Sequence, residues 1–278
     1  MKPDIVPDRT AYATQVLCID RKLDCHPTDR RQNIFAKSFS KGCDGIVMSS
    51  QEAWHLPSSH PWYIRGMKLT KSVKYCRDTG RTFYYTDNGY IGNVSKKTHF
   101  RIIKNNVHDC RPIQNRDDRR LRGLIFKLKA FSTGRKILLA PPSPKSFSMW
   151  DMDQNQWIEQ TVAQLEQYTD RPIEIRMKRN RADRNKIDTM EQTLANDVHC
   201  LVTYSSVAAV EAVMMGKPAI VLGPNAAQEV CSRSLSEIEK PYFPDNDHRL
   251  AWLRHLSYSQ FTFAEMSNGT AWHILNEG

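Results

Sequence analysis

The sequence has no apolar run approaching the roughly 18 residues of a membrane-crossing helix, so no such span is expected. Its opening stretch, MKPDIVPDRT, lacks the apolar segment of a secretory leader, and the expected location is the cytoplasm. No amphipathic stretch with a clear basic edge marks a membrane-surface helix. The seven cysteines (18, 25, 43, 76, 110, 200 and 231) are scattered and odd in number, and no two form Cys-x-x-Cys. Cys25-His26 has no second pair at zinc spacing, so neither a disulfide framework nor a structural zinc is expected. No acidic pair argues for an essential metal, and there is neither an internal repeat nor a low-complexity tract.

What is present is an ordinary globular composition with an excess of one sign. The 278 residues are 40% hydrophobic and 25% charged, with 40 Lys and Arg against 30 Asp and Glu. That length makes one large domain or two small ones. A net charge of +10 suggests a polyanionic partner, nucleic acid first, against the plainer reading of a basic but inert surface.

The most informative stretch is 198–223, VHCLVTYSSVAAVEAVMMGKPAIVLG. Cys200 to Tyr204 is short, apolar and partly β-branched, as a buried strand is. Ser205 and Ser206 then precede an apolar segment, Val207 to Met215, that is too long for a turn. Ser suits a helix N-cap, Gly216 a left-handed C-terminal position, and Pro218 ends the helix. Ala219 to Leu222 is a second buried strand. Strand, helix and strand with tight turns form a βαβ unit of a parallel sheet. Two hydroxyls and the free N–H groups of a helix start then meet at a strand's carboxyl end, an arrangement that binds phosphate; a simple Ser cap is the alternative. Glu211 is the one acid in a helix that is apolar nearly all round. It needs a partner, either a ribose hydroxyl or an internal Arg.

Upstream, Ala11 to Ile19 reads as a strand, Asp20 to Thr28 as a loop, Asp29 to Phe39 as a helix and Ile46 to Met48 as a second strand. Gln51 to His60 reads as a loop whose histidines, His55 and His60, are solvated rather than catalytic on the simpler reading. Thr82 to Tyr85 is aromatic and β-prone, and Asp87-Asn88-Gly89 reads as the turn at its end. An acid there is suited to deprotonating a hydroxyl nucleophile, which makes Asp87 the candidate general base, with Tyr85 and Tyr90 placed to stack on a base or sugar. The run from Arg111 through Arg116, Arg119, Arg120 and Arg122 is either a solvated face or a contact for a phosphodiester backbone. Further on, Lys136 to Ala140 is a strand with Ser143 and Lys145 beyond its end. Asp153 to Tyr168 is a helix. Arg171 to Met177 is a strand ending in Arg176 and Lys178, with Arg179, Arg181, Arg184 and Lys186 extending the charge. Asn225 to Leu235 reads as helical, and residues 250–272 carry two apolar helical stretches.

The segment TYSSVAAVEAVMMGKPAIVLG resembles the nucleotide-binding half of GT-B glycosyltransferases, particularly polysialyl-, capsule- and teichoic-acid-type enzymes with a Ser-Ser pair before the helix and Gly-Lys/Arg-Pro after it. The resemblance covers residues 136–223 in outline. It implies an α/β fold of two Rossmann-like domains, 1–130 and 131–278, facing across a cleft. It also implies a nucleotide-diphosphate sugar as co-substrate, with no permanently bound cofactor and no metal. The donor would be held by Ser143, Lys145, Arg176, Lys178, Ser205, Ser206 and Glu211. Where these families often carry Lys-Pro-His-Pro, this chain has Arg-Met-Lys-Arg, which retains charge without the histidine. In size and character the chain is also similar to bacteriophage enzymes that glycosylate hydroxymethylated pyrimidines. That implies a DNA acceptor, host-cell cytoplasm, a flipped base, and contacts from Tyr85, Tyr90, Arg111, Arg116, Arg119 and Arg120. A polysaccharide or lipid-linked acceptor is the nearer alternative. A non-enzymatic nucleic-acid-binding module is the alternative from another class.

Overall fold

The computed structural model describes residues 15–20, 33–57, 59–66, 69–92, 98–178 and 189–277. The expected arm at 1–10, residues 11–14 of the first strand, the loop at 21–28, the helix start at 29–32 and the side chains of Arg179, Arg181, Arg184 and Lys186 lie outside that set. The chain divides into two compact units. The first comprises Met1–Gly89, Thr98–Val107 and Phe261–Gly278; the second comprises Tyr90–Lys97 and His108–Gln260. The division therefore falls earlier than residue 130, and the last residues of the chain belong to the first unit.

The first unit is built on β1 (Leu17–Ile19), β2 (Ile46–Met48), β3 (Trp62–Arg65), β4 (Phe83–Asn88) and β5 (Phe100–Lys104), with β10 (Gln260–Phe261) at the edge. Their order is β10-β5-β4-β3-β1-β2. The pairs β1–β2, β1–β3 and β3–β4 are parallel, and β4–β5 is antiparallel. Helices α1 (Ile34–Gly42), α2 (Ser50–Trp54) and α3 (Thr70–Asp78) make the parallel crossovers. The expected helix at 29–39 starts later because Asn33 caps it, accepting the Phe35 N–H at 3.0 Å. The expected loop at 51–60 contains α2, whose start is fixed by a reciprocal Ser49–Glu52 capping box. Phe39 stacks on Tyr63 with ring centroids 4.2 Å apart, in a core that also takes in Val16, Tyr84, Phe100 and Ile102. Phe261, Met266, Ala271 and Leu275 complete that core. They come from β10, α10 (Phe263–Ser267) and α11 (Thr270–Asn276), so the apolar residues after Gln260 fill the first unit, whereas those of 250–257 belong to the second.

The second unit carries a four-stranded parallel sheet of β6 (Lys136–Leu139), β7 (Ile173–Ile175), β8 (Val198–Thr203) and β9 (Ala219–Val221), ordered β7-β6-β8-β9. Between them run α5 (Pro144–Phe147), α6 (Gln154–Leu165), α7 (Met190–Ala195) and α8 (Ala208–Met214). α4 (Arg119–Arg122) precedes this sheet and α9 (Asn246–Ser257) follows it. β8 and β9 are buried along their whole length, as central parallel strands are when both faces are covered. Ile137, Leu139, Cys200, Val202 and Ile220 share one core with Phe147, Trp157 and Leu165. Gly216 ends α8 with φ +72°, and a Cβ there would lie 2.1 Å from the Ala130 carbonyl oxygen, so both conformation and space require glycine. The expected helix at 225–235 is instead two single 3₁₀ turns, Gln228–Val230 and Leu235–Glu237, because Ser232 turns aside to bridge Ile220 of β9.

Candidate functional site

In the second unit the chain steps from β6 to β7 on one side, crosses back to β8 on the other side of β6, and continues to β9. The reversal leaves a switch point between the carboxyl ends of β6 and β8, the position at which open parallel sheets bind ligands. Two loops meet there. One is Ala140–Ser143, tied down by the Ala140 N–H to Val202 O at 2.8 Å and by the Thr203 hydroxyl to Ala140 O at 2.6 Å. The other is Tyr204–Val207. Ser205 is buried and Ser206 half-buried, and the Ser206 hydroxyl accepts the Ala208 N–H at 3.2 Å. That bond closes a turn one residue ahead of the helix cap, which is Val207, so neither serine is the N-cap of α8. Ser143 starts α5 with its side chain outside the cap, and Lys145 is exposed one residue into that helix.

Arg176 leaves the neighbouring strand β7. Its N–H reaches Leu139 O at 2.8 Å and its Nε donates to the Thr193 hydroxyl of α7 at 3.0 Å. Lys178 is exposed two residues on. Glu211 is open to solvent rather than sealed within an apolar helix. Protein crowding its other sides raises the carboxyl pKa by desolvation, while the charges of Arg176 and Lys178 act in the opposite direction. Arg176, Lys178 and Glu211 therefore form one electrostatic group at the sheet's carboxyl edge. Ser143, Lys145, Ser205 and Ser206 lie on the two loops of the switch point beside it.

Asn225 was not singled out by sequence. It is wholly buried, donates to Ser206 O at 3.0 Å and accepts the Ala227 N–H at 3.0 Å, so it locks the serine loop to the segment after β9. The signal was available: an Asn two residues after a strand-ending Gly is a turn residue that hydrogen-bonds nearby backbone.

In the first unit, Asp87 does not lie in a turn. β4 continues through Asn88, and Asp87 stands opposite Arg101 of β5. The Arg101 side chain is buried, lies 3.7 Å from Asp87 Oδ2, and also donates to Asn88 O at 2.9 Å and Val107 O at 3.2 Å. Tyr85 Oη donates to the same carboxylate at 3.3 Å. This acid stands beside a buried cation. Tyr85 and Tyr90 are buried at 0% and 6% exposure, so neither ring offers a face to a nucleobase.

The basic run is committed inside the second unit. Arg111 makes a two-pronged pair with Asp109 at 2.7 and 2.8 Å, and Arg119 pairs with Asp117. Arg120 donates to Ser257 O at 3.0 Å and Gln260 O at 2.8 Å, fastening α4 to the end of α9. Arg116 donates to Gln114 and lies 4.9 Å from the Tyr258 ring centroid. These guanidinium groups are paired with local carboxylates and carbonyls, while Arg111, Arg119 and Arg122 stay exposed.

Among the described residues no three His, Cys, Asp or Glu side chains are grouped as metal ligands, and no helix is long and apolar enough to cross a membrane. No protein-family model matches the chain, and no curated protein matches it. Two of the solved structures similar to it are transferases. One is described as KpsC of Thermosulfurimonas dismutans, β-Kdo 2,4 transferase, at 14% identity and TM-score 0.49, covering 94% of this chain and 98% of that one. The other is described as KpsC of the same organism, β-Kdo 2,7 transferase, at 12% identity and TM-score 0.48, covering 94% and 99%. Likeness at that level does not place the chain in a family, and the functional reading rests on its own residues.

Proposed function

We propose that the chain is a GT-B-type glycosyltransferase that binds a nucleotide sugar on its second unit and passes the sugar to a hydroxyl of a polysaccharide or lipid-linked saccharide. The observation that supports this reading is the switch point of the β6–β9 sheet. Paired serines occupy its β8–α8 turn, Arg176 and Lys178 follow the neighbouring strand β7, and both charges act on Glu211. Serine hydroxyls and turn N–H groups are suited to the donor diphosphate, and Arg176, Lys178 and Lys145 to the charge that grows on it as the sugar departs. Glu211, solvent-open on one side, is suited to a ribose hydroxyl. The sugar acceptor replaces DNA because the tyrosines and arginines that would serve a flipped base are buried or paired. The reading does not use Asp87 as the base.

The test is release of free nucleotide from a panel of nucleotide sugars, with oligosaccharide acceptors and with hydroxymethylated DNA as separate arms. Release from one donor, stimulated by a saccharide and not by DNA, is expected. Stimulation by DNA alone would restore the DNA acceptor. No donor bound or consumed would remove the glycosyltransferase reading.

A further inference from the structure

β1 and the end of α1 bring two thiols together in the first unit. Cys18 lies in the middle of β1 and is fully buried. Cys43 caps the C-terminus of α1, where its N–H donates to Phe39 O at 3.2 Å, and its side chain is half-buried. The chain turns back at once through Asp44, which has φ +49°, and enters β2 by the Ile46 N–H to Val16 O bond at 2.9 Å. That return folds Cys43 over β1. The space above Gly45 is shared by both sulfurs: a Cβ there would lie 3.0 Å from Cys43 Sγ and 3.4 Å from Cys18 Sγ, and 2.6 Å from Val16 O. Both sulfurs therefore border the same small space, and the Cys43 thiol also reaches Ser40 O at 3.9 Å. Two sulfurs that face one shared space, one on a strand and one on the segment packed across it, have the juxtaposition a disulfide requires.

We propose that Cys18 and Cys43 form a reversible disulfide when the protein meets a peroxide. Cys43, the partly exposed member, reacts first: its sulfur displaces water from hydrogen peroxide and becomes a sulfenic acid. Burial pushes the Cys18 thiol up, which keeps it protonated and makes it the second reactant. Cys18 then attacks the Cys43 sulfur, the S–O bond breaks and a second water leaves. Two thiols and one peroxide yield one disulfide and two waters, and the two electrons pass from the sulfurs to the peroxide. A dithiol reverses the bond by attacking Cys43. Cys200 and Cys231, both buried, have no comparable opening to an oxidant. The inference is independent of the functional reading, because it concerns only the first unit's thiols.

The experiment is peptide mapping of the full chain after one equivalent of hydrogen peroxide, with remaining thiols alkylated before trypsin digestion. The expected product is a Cys18 peptide joined to a Cys43 peptide, two hydrogens lighter than their sum and lost on dithiothreitol treatment. Cys43→Ser abolishes it and leaves Cys18 alkylatable, whereas Cys25→Ser leaves it intact. The oxidised wild type is expected to melt about 5–10 °C higher than the reduced form, because the bond constrains the unfolded chain between residues 18 and 43. Sulfinic acid on Cys43 with Cys18 still alkylatable would overturn the proposal. So would linkage of either thiol only to Cys25 or to a second chain. If Cys43→Ser does not fold, the wild-type map and the Cys25→Ser variant decide it alone.

Discussion

Replacing Asp109 by Asn removes the charge at the centre of a buried polar network in the second unit. The Asp109 side chain has no exposed surface. It accepts two hydrogen bonds from Arg111 at 2.7 and 2.8 Å, one from the Ser259 hydroxyl, and lies 3.2 Å from His255 Nε2. His255 Nδ1 accepts the Gln114 N–H at 3.2 Å, which leaves Nε2 as the protonated nitrogen facing the carboxylate. Burial alone would raise the Asp109 pKa, but Arg111 and His255 more than offset it and hold the carboxyl well below its usual range. Breaking a buried pair costs about 3–5 kcal/mol; Arg111 is half-exposed and regains water, so the lower figure, about 3 kcal/mol, is expected. For a unit of this size that corresponds to a Tm lower by roughly 6–12 °C at pH 7. The pH dependence has a definite sign. A carboxyl whose pKa is depressed on folding contributes stability above its unfolded value of about 4 and loses it as pH falls through the folded value. The gap between wild type and Asp109→Asn should therefore be full at pH 7 and pH 5.5 and shrink below about pH 4. Melting curves by circular dichroism at pH 7, 5.5, 4 and 3 measure it. A gap under about 2 °C at pH 7, or one that stays constant down to pH 3, would refute the network's electrostatic role.

Three further outcomes are expected. Gly216→Ala forces a side chain onto φ +72° and against the Ala130 carbonyl, and should cost about 2–4 kcal/mol in urea unfolding. Arg249→Met removes donors to Lys129 O at 2.8 Å and Val213 O at 2.5 Å from a side chain only 1% exposed. The stranded carbonyls should cost about 3 kcal/mol, read by the same unfolding assay. Asp87→Asn removes the carboxylate charge 3.7 Å from the buried Arg101 and should lower stability by about 1–2 kcal/mol while leaving the pH profile of sugar transfer in place. Loss of that profile's acid limb would return Asp87 to the role of base.

The second unit was the more legible half of the sequence. Apolar runs at 136–140 and 198–204, each closed by Pro, Ser or Gly, can hardly be anything but parallel strands, and Gly216 and Pro218 mark a helix end by covalent geometry. The sheet order, and with it the switch point, was legible only through a resemblance, because strand pairing is set by contacts far apart in sequence. Asp87 illustrates a local signal that tertiary structure overrides. Asp-Asn-Gly is a strong turn sequence, yet pairing with Phe100 to Lys104 extends the strand through Asn88. The arginines of 111–122 misled for a related reason. Composition counts charge, whereas Asp109 and Asp117, each two residues from the arginine it pairs with, and the distant carbonyls of Ser257 and Gln260 set its partners. Glu211 reversed an expectation as well: α8 is too short to be wrapped on every side, so one direction stays open to water.

The central claim is that the β6–β8 switch point binds the diphosphate of a nucleotide sugar. Isothermal titration of the wild type, Arg176→Ala and Ser206→Ala with a panel of nucleoside diphosphates and nucleotide sugars tests it most directly. One nucleotide should bind the wild type, with affinity reduced about 10- to 100-fold in Arg176→Ala, the worth of a charge-assisted hydrogen bond. A reduction of about 3- to 10-fold is expected in Ser206→Ala. Binding of equal strength in all three proteins, or in none, would contradict the account.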